Sequence, residues 1–180
     1  MQLIDRFFYR FRQFLFAMSA TMNETDWHFV KRYLNIEELA LFQKLPDFEQ
    51  KHSVTVAHKI EELIHGRHDV DERKAIKLGL LHDIGKIDGH LLLFQKSFLT
   101  IIRFFLHPLY DLLAYLGEDK KARRIFRKFY IHKHHGAIGA ELLEKLGEDR
   151  EIVICTRLHD FPEKCDNIYM ELLGKADSTY

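Results

Sequence analysis

The feature that most constrains the fold is an apolar run that ends in the sequence His-Asp-Ile-Gly-Lys at residues 82–86. Between Ala75 and Leu81 only Lys77 is polar, which predicts a helix buried over most of its surface. Asp83 would lie near the carboxyl end of this helix, where the helix dipole disfavours an acid by about 0.3–1 kcal/mol. A buried carboxylate there needs a counter-charge. Two interpretations follow: a hydrogen-bonded His–Asp pair, or ligands of a divalent metal ion.

Two residues are predicted to mark the ends of this helix. Asp71 precedes it and is a suitable N-cap, because its side chain can accept a hydrogen bond from the first helical turn. Gly85 is expected to end it, because glycine adopts the left-handed conformation without steric penalty. His82 and Asp83 would then both lie in the last helical turn.

Length and composition favour an all-α fold in one full globular domain, with room for a small subdomain. The chain has 180 residues, of which 47% are hydrophobic and 30% charged, and it contains few helix breakers, with nine glycines and three prolines. The net charge is zero with histidines neutral, which argues against nucleic-acid binding through bulk charge. Cys155 and Cys165 form neither a metal motif nor a disulfide framework, which suits a cytoplasmic protein.

Residues 1–20 have the pattern of an aromatic, basic amphipathic helix, with phenylalanines at 7, 8, 11 and 14 and arginines at 6, 10 and 12. We expect this helix to dock its apolar face on the domain, as part of an N-terminal helical extension over residues 1–45. The alternative is a peripheral contact with a membrane surface. A signal peptide is not expected, because the arginines leave only a very short apolar core.

Residues 89–131 form an aromatic and basic insert, which we expect to fold as two or three helices that cap the core. Its apolar first part is interrupted by Lys96, Arg103, His107 and Asp111, which argues against a membrane-spanning helix. Residues 118–133 then carry seven Lys/Arg against two acids. This basic run is either a solvated helix face or a patch that attracts a phosphorylated substrate or acidic lipid.

Four histidines lie on the apolar faces of four different predicted helices. They are His52, His82, His135 and His159. Any one alone is more often a hydrogen-bonded core residue, but four of them together with Asp83 and Asp177 favour a metal site between the helices of a bundle. Nitrogen and oxygen donors in combination suit Fe, Mn, Zn or Co better than Mg.

The order of His52, His82-Asp83 and Asp177 resembles that of the HD-domain superfamily of metal-dependent phosphohydrolases, and His-Asp-Ile-Gly-Lys matches its HDIG variant. Four further segments resemble family segments in the same order: KHSVTVAHKI, HHGAIGAELLEKLG, ICTRLHD and KAD. The resemblance covers about residues 50–179, apart from the insert. It implies an HD-domain helical bundle over residues 46–180.

The resemblance also implies a set of metal ligands. His52, His82, Asp83 and Asp177 would bind a first ion. His135 and His159 would bind a second ion, with Asp83 bridging the two. Where the family has the second histidine of a pair, this chain has Asp160, a further candidate ligand that leaves open whether one or two ions bind. His132 and His134 compete with His135 for the ligand position.

The function implied by the resemblance is hydrolysis of a phosphomonoester or phosphodiester, of a nucleotide or related small molecule, by a metal-activated hydroxide. Fe or Mn is expected first, with Zn, Co, Ni or Mg as alternatives. Asp83 and Lys86 would be catalytic, and Lys86 would contact the substrate phosphate. Four further residues could attract the anionic substrate: Arg123, Arg124, Arg127 and Lys128. The alternatives are a metal-containing sensor that binds a nucleotide without turnover, and a diiron oxygenase of HD type.

Overall fold

The structure, a computed structural model, describes residues 21–89 and 93–179, and helices are the only regular secondary structure in these ranges, which confirms the all-α prediction there. The α-helices in chain order are α1 (Glu24–Tyr33), α2 (Ile36–Phe42), α3 (Asp47–Ile64), α4 (Glu72–Leu81), α5 (Leu93–Phe105), α6 (His107–Leu116), α7 (Arg124–Lys145), α8 (Arg150–Leu158) and α9 (Ile168–Asp177). Two 3-10 helices, Ile84–Gly89 and Pro162–Lys164, follow α4 and α8. The amphipathic helix predicted for residues 1–20 lies outside the described residues.

Local signals set several helix ends, and the cap at Asp71 is as predicted. Asp71 caps α4, and its side chain accepts a hydrogen bond of 3.0 Å from the backbone N–H of Lys74. Gly147 follows α7 with a φ of 70°, the left-handed conformation that glycine favours at helix ends. Asn23 and Asn35 form capping boxes at the starts of α1 and α2, which fixes where these two helices begin.

The prediction that Gly85 ends α4 in the left-handed conformation was wrong. The helix ends at Leu81, and Gly85 lies in the following 3-10 helix with an ordinary φ. Its small size serves a close contact instead, because a Cβ atom there would lie 1.9 Å from the carbonyl oxygen of His135. The turn that carries His82 and Asp83 therefore packs directly against the backbone of α7.

The main hydrophobic core lies between α3, α4, α8, α9 and the second half of α7. α1 and α2 add Val30, Tyr33 and Phe42 to this core. A smaller cluster lies beneath α5, α6 and the first half of α7, and it consists of Leu99, Tyr110, Ala114 and Phe129. The boundaries of the predicted N-terminal extension and insert stay predictions.

The helix α7 connects the two clusters. It runs unbroken for 22 residues, from the basic run of residues 118–133 into the main core. No helix in the described ranges is long and apolar enough to cross a membrane.

Candidate metal centre

Five segments bring the predicted ligands together in the main core. α3 carries His52, and α7 carries His135. His82 and Asp83 directly follow α4, His159 directly follows α8, and Asp177 is the last residue of α9. Residues that lie more than a hundred positions apart in sequence thus meet at one end of the helical core.

Asp83 lies at the centre of this group and is 2% exposed. Its Oδ2 atom is 3.4 Å from Nε2 of His82 and 3.8 Å from Nε2 of His52. Its Oδ1 atom is 3.4 Å from Nε2 of His135 and 3.5 Å from Nε2 of His159. The ligand atoms of each trio, Asp83 with His52 and His82 and Asp83 with His135 and His159, lie within 4.8 Å of one another. The carboxylate therefore faces a different pair of imidazoles with each oxygen.

Each trio has one further acid beside it. Oδ1 of Asp177 lies 3.0 Å from Nε2 of His52 and 3.9 Å from Nε2 of His82, on the first side. Oδ2 of Asp160 lies 3.6 Å from Nε2 of His135, on the second side. Both predicted acids are thus close to the trio for which they were considered.

Backbone carbonyl groups orient three of the four imidazoles in the same way. The Nδ1 atoms of His82, His135 and His159 lie 2.9, 3.0 and 2.7 Å from the carbonyl oxygens of Gly79, His132 and Thr156. Because a carbonyl oxygen can only accept, each Nδ1 carries a hydrogen and donates it. Ligand histidines are usually held in this way, with Nε2 directed at the ion.

Among the described residues, no hydrogen-bond donor faces the Nε2 atoms of His82, His135 and His159. Those of His135 and His159 are 3.0 Å apart, so in the neutral rings two lone pairs face each other. Within the same ranges, Nε2 of His82 and Oδ1 of Asp83 are buried without a hydrogen-bond partner, which costs about 1–3 kcal/mol for each such group. A divalent ion in each trio would satisfy these atoms, so the residues present fit the metal ions that the sequence implies.

The charges of the site are coupled around Asp83. Burial disfavours its ionised form, but the charges of Lys86 and His82 hold the pKa of Asp83 well below its ordinary value. Burial likewise disfavours a charged His82 ring, yet the Asp83 carboxylate raises the pKa of His82 to about 9. Burial and the charge of Lys86 lower the pKa of His135 well below its ordinary value. The centre thus combines an anionic carboxylate with a neutral imidazole at the second trio.

Lys86, predicted to be catalytic, lies beside the centre in a chain of alternating charges. Its ammonium group pairs with Asp83 and is 3.5 Å from Oε2 of Glu49. The other oxygen of Glu49 is 2.8 Å from Nζ of Lys96. Sequence reasoning missed Glu49, which is 2% exposed. Its position three residues before His52 on α3 places both on one helix face, a signal that could have identified it.

The four basic residues considered for substrate phosphate lie at the start of α7. Arg127 donates hydrogen bonds to the carbonyl oxygens of Gly117 and Glu118, and Lys128 donates to Gln95. Arg123 and Arg124 are exposed. At a rise of about 1.5 Å per residue, Arg124 is roughly 16 Å along the helix from His135. The structure does not bring these side chains to the metal centre, and their contact with a phosphate stays a prediction.

The two rival histidines on α7 face other partners. The ring of His134 packs on Tyr130 at 4.7 Å between centroids. Nδ1 of His132 lies 2.7 Å from the hydroxyl of Tyr110, and the two groups form a hydrogen bond. Burial lowers the pKa of His132 to about 3, which leaves this ring neutral. Of the three histidines, the structure brings only His135 to Asp83, and Tyr110 is a neighbour that the sequence did not reveal.

Comparisons of the chain with protein-family models, with curated proteins and with solved structures found no match. The functional assignment therefore depends on the geometry of the centre and on the motifs of the sequence.

Proposed function

We propose that this chain is a metal-dependent phosphohydrolase with an HD-domain helical bundle, capped by the helices of residues 89–131. Its substrate would be a phosphomonoester or phosphodiester of a nucleotide or a related small molecule. The observation that carries the proposal is the position of Asp83 between two pairs of histidines whose Nε2 atoms point at its two oxygens. The order of these residues along the chain, which resembles the HD-domain superfamily, supports it further.

The ligand roles follow from the two trios. His52, His82 and Asp83 would hold one ion, assisted by Asp177. Asp83, His135 and His159 would hold the other, with Asp160 beside them. The Nδ1 hydrogen bonds to backbone carbonyls would keep the imidazoles of His82, His135 and His159 oriented before an ion arrives. Divalent ions bound here would polarise a phosphoryl oxygen and lower the pKa of a water molecule.

Lys86 would supply a fixed positive charge for the substrate phosphate. Burial disfavours its charged form, but Asp83 and Glu49 raise the pKa of Lys86 well above its ordinary value, so it stays protonated. A phosphate oxygen that reached this ammonium group would compete with Glu49, which lies 3.5 Å away. Because Lys96 also pairs with Glu49, the carboxylate would keep a counter-ion during this exchange.

The test is phosphoester hydrolysis by the full chain loaded with Mn(II), or with Fe(II) under anaerobic conditions. We expect Asp83→Asn to lose bound metal from both trios. Its rate of hydrolysis should fall at least about a thousandfold, because Lewis-acid catalysis lowers the barrier by several kcal/mol and each 1.4 kcal/mol changes the rate about tenfold. His82→Ala should lose metal from the first trio. Asp111→Asn, which changes an acid outside the centre, is the control and should keep full metal content and activity.

The proposal fails if metal-loaded protein hydrolyses nucleotides and generic phosphoesters no faster than His82→Ala. One observation favours a second candidate, a nucleotide sensor without turnover: the acid Asp160 stands near His135 where the family has a histidine. One ion per chain together with nucleotide binding and no product would identify the sensor. Oxygen consumption by the iron-loaded protein would instead identify a diiron oxygenase.

A further inference from the structure

The helices α5 and α6 expose an unusual amount of apolar surface. Of the 13 large apolar side chains that are exposed in the described part of the chain, nine lie between residues 98 and 116. We call these nine the apolar hairpin surface: Phe98, Ile101, Phe104, Phe105, Leu106, Leu109, Leu112, Tyr115 and Leu116. The remaining four exposed apolar residues are scattered over other elements, as is normal for a globular protein.

Both helices are apolar on two faces. α5 buries Leu99 and leaves Phe98, Ile101 and Phe105 exposed at spacings of three and four residues. α6 buries Tyr110 and Ala114, and it exposes a corresponding stripe of Leu109, Leu112 and Leu116. A helix that is apolar on its outer as well as its inner face is typical of one whose outer face is also covered.

The surface is large enough to bind a partner. Phe98, Phe104 and Phe105 are 59%, 80% and 73% exposed. Because a phenylalanine side chain presents about 150–250 Å², these three residues alone expose roughly 300–500 Å². The largest apolar patch on a typical monomer is about 300–600 Å². With the other six side chains added, the surface exceeds that range.

The charges next to this surface are positive. Residues 93–130 contain eight Lys/Arg and three Asp/Glu, and Lys120 and Lys121 are exposed in the loop after α6. Exposed aromatic side chains beside long basic ones are the composition of segments that lie in the headgroup region of anionic membranes. Residues 1–20 repeat this composition, with five phenylalanines and three arginines. Membrane binding of such segments strengthens with the apolar area that they bury and with their attraction to anionic lipids, so a second segment of this composition would add to the first.

We propose that the apolar hairpin surface docks onto the headgroup region of an anionic lipid bilayer. Phe104 and Phe105, at the turn between the two helices, would enter the acyl boundary. Lys120 and Lys121, in the loop after α6, would pair with lipid phosphates. This proposal stands on the exposed surface and its charges, independently of the reaction at the metal centre.

The test is co-sedimentation of the full chain with phosphatidylcholine vesicles that contain or lack phosphatidylglycerol. We expect binding to the anionic vesicles and a loss of at least about tenfold in affinity for the double variant Phe104→Ser/Phe105→Ser, because apolar insertion is removed. Lys120→Gln/Lys121→Gln should weaken binding by about fivefold for each charge. The control is Ile36→Ser, since Ile36 is 87% exposed on α2, outside the surface, and its variant should bind like the native chain.

A second measurement locates the contact. Trp27 is the only tryptophan, so Phe105→Trp in a Trp27→Phe background places a single fluorophore at the turn. A blue shift on adding anionic vesicles, with quenching by brominated lipid, supports the proposal, and unchanged emission overturns it. Both variants at Phe105 should keep the native unfolding temperature, since this side chain is exposed.

Three other outcomes overturn the proposal. The first is that the native chain does not bind anionic vesicles, or that the double variant Phe104→Ser/Phe105→Ser binds them as well as the native chain does. The second is a native dimer that becomes monomeric in the double variant, because the surface would then bind a second copy. The third is binding that Phe7→Ser/Phe11→Ser abolishes while the double variant retains it, which would assign membrane contact to residues 1–20 alone.

Discussion

The metal centre and the apolar hairpin surface depart from ordinary burial in opposite directions. At the centre, Asp83, His82 and Glu49 are charged or polar groups that are almost fully buried. On the hairpin, Phe104 and Phe105 are large apolar groups that are mostly exposed. Among the described residues, Nε2 of His82 and Oδ1 of Asp83 have no hydrogen-bond partner, and most of the exposed large apolar side chains lie on α5 and α6. Each region therefore suits an added component: divalent ions at the centre, and an apolar layer on the hairpin.

The two departures differ in what they cost the fold. A buried polar atom without a partner costs about 1–3 kcal/mol of stability, so the centre depends on close packing and on compensating charges. An exposed phenylalanine costs the folded state little, because it is as exposed when the chain is unfolded. Changes near the centre should therefore affect folding strongly, whereas changes on the hairpin surface should not.

Gly85→Ala should have the largest effect on stability and thus tests the close packing of the centre. The new Cβ atom would lie 1.9 Å from the carbonyl oxygen of His135 and 2.6 Å from the backbone nitrogen of Gly139. Because both atoms belong to the backbone of α7, the helix must move away and take His135 with it. We expect a loss of about 3 kcal/mol or more in the free energy of unfolding, and lost metal at the second trio. Denaturant unfolding and elemental analysis would measure these.

The matched control is Gly174→Ala on α9, where an added Cβ atom meets nothing within 4 Å. Alanine favours helix over glycine, so this variant should gain about 0.5–1 kcal/mol. Equal stability of the two variants would contradict the tight contact between the 3-10 turn and α7.

Lys77→Met tests whether the stability of the main core depends on the pairing of its buried charges. Nζ of Lys77 lies 2.8 Å from Glu38 and 3.0 Å from Glu148, and both carboxylates are buried. Removing the cation leaves two neighbouring acids, which we expect to cost about 3 kcal/mol at pH 7. Urea unfolding over a range of pH would measure the loss.

The pH dependence of this variant has a defined sign. Burial and the neighbouring Glu38 raise the pKa of Glu148 above its ordinary value of 4.5. A carboxyl group whose pKa is higher in the folded state destabilises the protein above that pH and ceases to do so once protonated. The deficit of Lys77→Met should be complete at pH 7 and shrink as the pH falls toward 4.5. Lys175→Met, which removes a cation that is 60% exposed, should change stability by less than about 0.5 kcal/mol at any pH.

Tyr110→Phe should have the smallest effect of the three, and it tests the contact between the two regions. The Tyr110 hydroxyl on α6 forms a hydrogen bond with Nδ1 of the buried His132, one helical turn before His135. Removing the hydroxyl leaves Nδ1 of His132 without this partner, which should cost about 1–2 kcal/mol of unfolding free energy. Tyr115→Phe, at a tyrosine that is 71% exposed on the same helix, should be neutral. Equal effects of the two variants would show that this hydrogen bond does not stabilise the fold.

Much of the fold could be predicted because its signals are local. The helical spacing and the scarcity of breakers predicted an all-α chain, and Asp71 marked the start of α4 through the preference of its own side chain. The candidate ligands could be selected because they lie in an order that resembles a known superfamily. The structure brings that set together around Asp83.

The remaining features depend on contacts between distant residues. Glu49 pairs with Lys96 across 47 positions, and Tyr110 reaches His132 across 22. The role predicted for Gly85 was wrong, because the carbonyl group that approaches it belongs to His135, 50 residues later in the chain. Sequence patterns reveal a residue's own conformational preferences, but they do not reveal which backbone will pack on it.

The shared carboxylate of Asp83 has a consequence for how the protein would take up metal. Its two oxygens belong to one anion, so an ion that binds Oδ2 withdraws negative charge from Oδ1. A second divalent ion in the neighbouring trio would also be repelled by the first. A metal titration should therefore show two steps of unequal affinity. At limiting metal, the main species would be half-loaded chains rather than a mixture of empty and full ones.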